Sequence, residues 1–107
     1  MNQARINLLE QYVQEQPDEP FNHYALAMEY VAGDPAQALH YLEILLTRHP
    51  DYLPTYYQAA TLYAEGEDRE RARTTFERGL ELASSQGNQK TYDELSRAYR
   101  AFEDEDW

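Results

Sequence analysis

The 107-residue sequence predicts an all-α fold of six antiparallel helices, on three observations. Turn-forming residues interrupt the chain at regular intervals: Pro17-Asp18-Glu19-Pro20, Gly33-Asp34-Pro35, His49-Pro50-Asp51, Gly66-Glu67-Asp68 and Gly87-Asn88. The six segments they separate have roughly 12 to 16 residues each, enough for three or four helical turns. Within every segment apolar residues recur at helical spacing, and none sustains the period-two alternation of a strand.

The first helix, over 1–16, carries Ile6, Leu9, Tyr12 and Val13 on one face. The second follows Pro20 with Phe21, Tyr24, Ala25 and Met28. The third carries Ala38, Tyr41, Leu42, Leu45 and Leu46. It starts at Pro35, where a missing N–H costs nothing, and Asp34 is placed to accept hydrogen bonds from its free amides. The fourth carries Tyr56, Ala59, Ala60 and Tyr63. Asp68 caps a fifth with Ala72, Phe76, Gly79, Leu80 and Ala83, and Asn88 caps a sixth with Tyr92, Leu95, Tyr99 and Phe102. Gly33, Gly66 and Gly87 are expected to take the left-handed conformation that closes a helix. Connections this short force successive helices to lie antiparallel.

Equivalent segments repeat one another. Phe21-x2-Tyr24-Ala25-x2-Met28 matches Tyr56-x2-Ala59-Ala60-x2-Tyr63 and Tyr92-x2-Leu95-Ser96-x2-Tyr99, and Ala38-x3-Leu42 matches Ala72-x3-Phe76, at offsets of 34 to 36 residues. In each, large residues flank a small one on a shared face, and the small one lets the partner helix approach. At these residues the chain resembles the tetratricopeptide repeat (TPR) family, whose pattern is W-x2-L-G-x2-Y, then A-x3-F, then P. The resemblance implies one domain over 1–107, a right-handed α-α superhelix of about two and a half repeats. Its parts are a leading helix (1–16), repeats at 20–50 and 53–86, a closing helix (88–103) and an acidic tail (104–107). The chain departs from the pattern in having no Trp at the start of a repeat, no Gly at the small position and no Pro closing the second repeat. Glu67 stands where a Gly would be usual, with Gly66 one place earlier.

Composition narrows the function. Twenty acidic against nine basic residues give a net charge of −11, which repels phosphate backbones and anionic lipid, so neither nucleic acid nor a membrane is expected as partner. The absence of cysteine removes disulfides, thiolate nucleophiles and sulfur-ligated zinc. No apolar run approaches the roughly 18 residues of a membrane span, and no signal peptide is visible, so a cytoplasmic setting is expected. His23, His40 and His49 lack metal-ligand spacing, Ser84, Ser85 and Ser96 lie in no nucleophile turn, and no glycine-rich loop could cradle phosphate. The expectation is therefore no enzyme, no cofactor and no metal. Lys90 is the sole lysine beside eight arginines; this acidic, Lys-poor surface fits an ordinary acidic protein or one from a salt-loving source. Arg69, Arg71, Arg73 and Arg78, interleaved with Glu70, Glu77 and Glu81, read as a solvated face with pairs along the fifth helix.

What the family resemblance implies, and composition does not, is a concave groove lined by the first helix of each hairpin that binds a peptide or protein. Turning from each buried face to its neighbour gives the groove candidates: Asn22, Leu26, Glu29 and Tyr30, then Tyr57 and Thr61 with Ala64, then Lys90, Arg97 and Arg100 with Asp93. The set runs from acidic (Glu19, Glu29) through aromatic (Tyr30, Tyr57) to basic, so its last end is expected to receive a carboxylate of an extended segment. The carboxylate clamp with which some relatives hold chaperone tails is not expected, because among Asn22, Leu26, Gln58, Lys90 and Glu94 only Lys90 has the required charge. The expected function is a non-catalytic protein-interaction module, a scaffold or adaptor, acting as a monomer. The alternative is a self-assembly unit, a homodimer stacking through exposed end helices with Tyr99, Phe102 and Trp107 at one end.

Overall fold

The computed structural model describes residues 1–105. These form six α-helices and no strand: α1 Gln3–Glu15, α2 Pro20–Tyr30, α3 Pro35–Arg48, α4 Pro54–Glu65, α5 Arg69–Ser85 and α6 Gln89–Asp104. The capping chemistry read from the sequence is in place. Asp34, Asp68 and Asn88 each accept a hydrogen bond from the backbone N–H three residues on, at 3.0–3.2 Å, and Asn2 does the same for α1. The left-handed positions differ from expectation. Gly87 has φ 67°, but in the α4–α5 turn it is Glu67, not Gly66, that has a positive φ, 63°. The N–H of Asp68 reaches back to the Tyr63 carbonyl and that of Glu67 to Ala64. The turn is thus closed one residue later than the glycine, on a residue with a Cβ. Asp106 and Trp107, and with them the Trp end of the expected stacking surface, lie outside the described residues.

The chain divides into two compact units, Met1–Thr55 and the part from Tyr56 onward. In the first, Ile6 and Leu9 of α1 pack on Leu26 of α2, with Val13, Ala25, Tyr30 and Tyr41 against them, and Ala38, Leu42 and Leu45 of α3 are fully buried. The buried side of α2 is not the expected one. Phe21 is 58% exposed, while Asn22, His23, Leu26 and Ala27 are buried. The cause lies in α1: with Ile6 and Leu9 seated on Leu26, α2 turns that side inward. Arg5 and Glu29 tie the same two helices at 2.8 Å. The buried His23 ring has Nδ1 3.5 Å from the Glu19 carbonyl and its centroid 6.4 Å from that of His49. Burial, opposed by the bond to Glu19 and reinforced by the charges of His49 and Arg48, lowers its pKa below the ordinary 6.5.

In the second unit α5 is drawn in at Gly79, where a β-carbon would lie 2.7 Å from Tyr56 Cβ and 3.1 Å from Leu95 Cδ1. One turn earlier, Phe76 is 1% exposed and meets Tyr99 and Phe102 of α6 at ring distances of 5.3 and 5.6 Å. The arginines of α5 are the expected solvated row only in part: Arg71 and Arg78 are exposed, whereas Arg69 and Arg73 are partly buried. Arg69 lies 4.0 Å over the Phe102 ring and donates to the Phe102 carbonyl at 2.9 Å. Arg73 lies 5.5 Å over the same ring and 3.8 Å from Glu103, and Arg78 lies over Tyr56. Arg71 makes a pair of the expected short range, with its cap Asp68. A guanidinium is weakly hydrated and stacks well, so a nearby ring competes with glutamates exposed to water. Phe102, expected at an exposed end, is covered from this side and buried.

Three outcomes follow for stability. Gly79→Ala raises helix propensity by about 1 kcal/mol but forces two helices apart at fixed atoms, a cost of about 1–3 kcal/mol. Chemical denaturation should show a net loss; a gain would mean the helices separate freely. Glu67→Gly removes a left-handed penalty of about 1–2 kcal/mol and adds a glycine entropy cost of about 0.5–1 kcal/mol, so the midpoint of unfolding should rise. Because the folded pKa of His23 lies below its unfolded value, the unfolded chain takes up the proton first on acidification. The contribution of neutral His23 is complete above pH 6.5 and is lost as pH falls through the lowered value. Denaturation at stepped pH should show that acid limb flattened in His23→Gln.

Candidate functional site

Tyr57, Thr61, Ala64 and Glu65 fall on one side of α4 because they are spaced four, three and one residues apart, and Ala98, Ala101, Phe102 and Glu105 share a side at the end of α6 by the same spacing. The two rows face each other across a cleft of about 310 Å³, and Phe76 of α5 contributes to its lining. The cleft stays open because three of the side chains on its walls are alanines. A second hollow of about 430 Å³, lined by Tyr57, Glu94, Arg97 and Ala98, continues it past Tyr57 and Ala98. Tyr57, 38% exposed, lines both.

The charges along this surface are unequal. Glu65 and Glu105 line the first hollow and have no ion-pair partner among the described residues, and no basic side chain joins them there. Arg97 stands beside Glu94 in the second. The Thr61 hydroxyl is already committed, donating to the Gln58 carbonyl at 3.0 Å. Neither lining includes a histidine, cysteine, serine or lysine. Such a surface can hold an apolar side chain and orient charges at its two ends. No group of His, Cys, Asp or Glu among the described residues is placed to hold a metal ion, and none of their helices is long and apolar enough to cross a membrane.

Of the residues the sequence nominated, Tyr57 and Thr61 line the cleft and Arg97 its continuation, while Lys90 and Arg100 are exposed on α6 outside both linings. The four from α2 are placed differently. Leu26 is fully buried and Asn22 is 9% exposed. Glu29 is held by Arg5. The Tyr30 hydroxyl donates to Glu10 at 3.4 Å, and its ring stacks on Tyr41. Burial first, then the Glu10 charge, raises the Tyr30 pKa above 10. Leu26 and Asn22 are therefore corrected from groove to interior. The reading missed Glu65, Ala98, Ala101, Phe102 and Glu105. Their signal was present, since Ala98-x2-Ala101-Phe102 keeps helical spacing, but transfer by repeat offset phased α6 on Arg97, one residue or about 100° away.

Comparison with known proteins agrees with the helical-repeat fold. A tetratricopeptide repeat family model matches residues 29–91. The solution NMR structure of a tetratricopeptide repeat domain protein from Salinibacter ruber is 38% identical, over 81% of this chain and 89% of that one, with a TM-score of 0.75. A crystal structure of a tetratricopeptide repeat domain protein from the same organism is 36% identical, over 79% and 97%, with a TM-score of 0.76. Among curated proteins none matches.

Proposed function

The chain belongs to the tetratricopeptide repeat family, and on that premise we propose that it is a non-enzymatic module that binds a protein or peptide segment in the cleft between α4 and α6. The family is in general a protein-interaction fold. The observation that carries the proposal is Tyr57, a partly exposed aromatic shared by two adjoining hollows with alanine walls. A tyrosine in that position offers a partner large contact area at the entropic cost of two torsions. The four groove candidates on α2 are engaged within their own unit, which leaves the cleft of the second unit as the place to bind. Arg97, with Lys90 and Arg100 on the same helix, supplies the end that receives a carboxylate, through paired hydrogen bonds that a guanidinium favours. A net charge of −11 favours a protein over a nucleic acid.

A second reading, self-association through an exposed end helix, is supported by α1. Leu8 and Tyr12 of α1 are 46% and 40% exposed, one turn apart, beside the uncharged and exposed Ala4, Asn7 and Gln11. In a chain so acidic, a neutral helix face is where a second copy meets least repulsion.

The native protein and a Tyr57→Ala/Arg97→Glu variant, used as parallel baits in lysate of the source organism, should catch different proteins. A protein retained by the native bait alone, and bound at least about tenfold more weakly by the variant in solution, is the expected result. Identical catches would overturn the cleft as the binding surface and favour the α1 face.

A further inference from the structure

We propose, building on the cleft reading above, that Glu65 and Glu105 make the cleft selective for a segment in which an apolar side chain stands next to an arginine or lysine. Three observations meet at this end of the cleft. Both carboxylates line it, each without an ion-pair partner among the described residues. Both sit at helix C-termini: Glu65 is the last residue of α4, and Glu105 directly follows α6. A helix C-terminus carries the negative end of the backbone dipole, so two such ends add to two carboxylates in one place. The arginines of α5 have other contacts, Arg69 and Arg73 over the Phe102 ring and Arg71 on Asp68, and none of them lines the cleft.

The free protein thus holds an uncompensated negative charge against an apolar wall, and a bound cation relieves it. The wall determines what accompanies the cation. Tyr57, Ala64, Ala98, Ala101 and Phe102 enclose about 310 Å³, room for one large apolar side chain and the methylenes of an adjacent lysine or arginine, whose charged head then reaches the carboxylates. Arginine suits the place better than lysine, because its planar fork pairs with a carboxylate through two hydrogen bonds. With Arg97 in the adjoining hollow, the segment is also oriented: its cation lies toward Glu65 and Glu105, and any carboxylate toward Arg97.

The test is selection of a random decapeptide library on the native protein. Three variants serve as parallel targets: Tyr57→Ala, Glu65→Gln/Glu105→Gln, and Asp18→Asn/Glu81→Gln. The last removes the same charge from residues outside the cleft lining, so general attraction of cations to an acidic protein is measured separately. All five substituted side chains are exposed, and circular dichroism confirms equal helix content before selection. The expected result is enrichment of peptides with arginine or lysine within two positions of an apolar residue. As free labelled peptides these should bind Glu65→Gln/Glu105→Gln at least about tenfold more weakly than the native protein, and the Asp18→Asn/Glu81→Gln control within about twofold. Peptides without a basic residue, or basic ones bound equally by both double variants, overturn the selectivity; if Tyr57→Ala still loses them, the cleft itself stands. No enrichment over Tyr57→Ala overturns both.

Discussion

At Gly79 the backbone of α5 comes so near α4 and α6 that a single methyl group would not fit, and much of the second unit is arranged around that approach. Drawing α5 inward buries Phe76, which meets the aromatic rings of α6. The ring of Phe102, packed against Phe76, then accepts two guanidiniums from α5. Packing in α-helical units is tight and fills available space, so a cleft survives only where side chains are too short to close it. Between α4 and α6 those are Ala64, Ala98 and Ala101. The hollow and the close contact are thus two aspects of the same arrangement: large residues meet on the α5 side, and small ones face each other along α4 and α6.

The first unit shows the same family pattern with a different outcome. Its α2 helix has a helix on each side, and Ile6 and Leu9 of α1 take up Leu26, the position equivalent to Thr61 of α4. Glu29 and Tyr30 are drawn into contacts with α1 as well. Thus a repeat position does not determine exposure; the neighbouring helix does. The residue type follows suit, leucine where the position is covered and threonine where it lines a hollow.

Helix number, order and capping were legible in the sequence because they depend on local chemistry. Asp34, Asp68 and Asn88 act within three residues of themselves, and proline at the start of α2, α3 and α4 acts on its own torsion angle. The buried side of α2 was not legible, nor was the row of α6 that faces the cleft, although the buried Leu95 and Phe102 of α6 were. Apolar residues surround much of α2, so its pattern admits more than one buried side, and the choice rests on Ile6 and Leu9 from another segment. Arg69 and Arg73 of α5 were misassigned for a related reason. Sequence spacing makes Glu70, Glu77 and Glu81 visible as partners, whereas Phe102, 33 residues from Arg69, becomes a partner only once the helices have packed. Tyr57 and Thr61 were found because the fourth helix has a well-marked buried face, from which its neighbouring face can be counted.

The alanines of the cleft have a consequence for how such a protein can change over generations. A wall built from side chains that stop at Cβ can grow. Replacing Ala101, which is exposed, by a larger residue would project into the open hollow and leave the contacts around Gly79 and Phe76 in place. The cleft wall and the packed interior therefore occupy largely different positions of α6, the first at Ala98 and Ala101, the second at Leu95, Tyr99 and Phe102. Lineages carrying this scaffold can reshape that wall one substitution at a time while the packed positions stay unchanged.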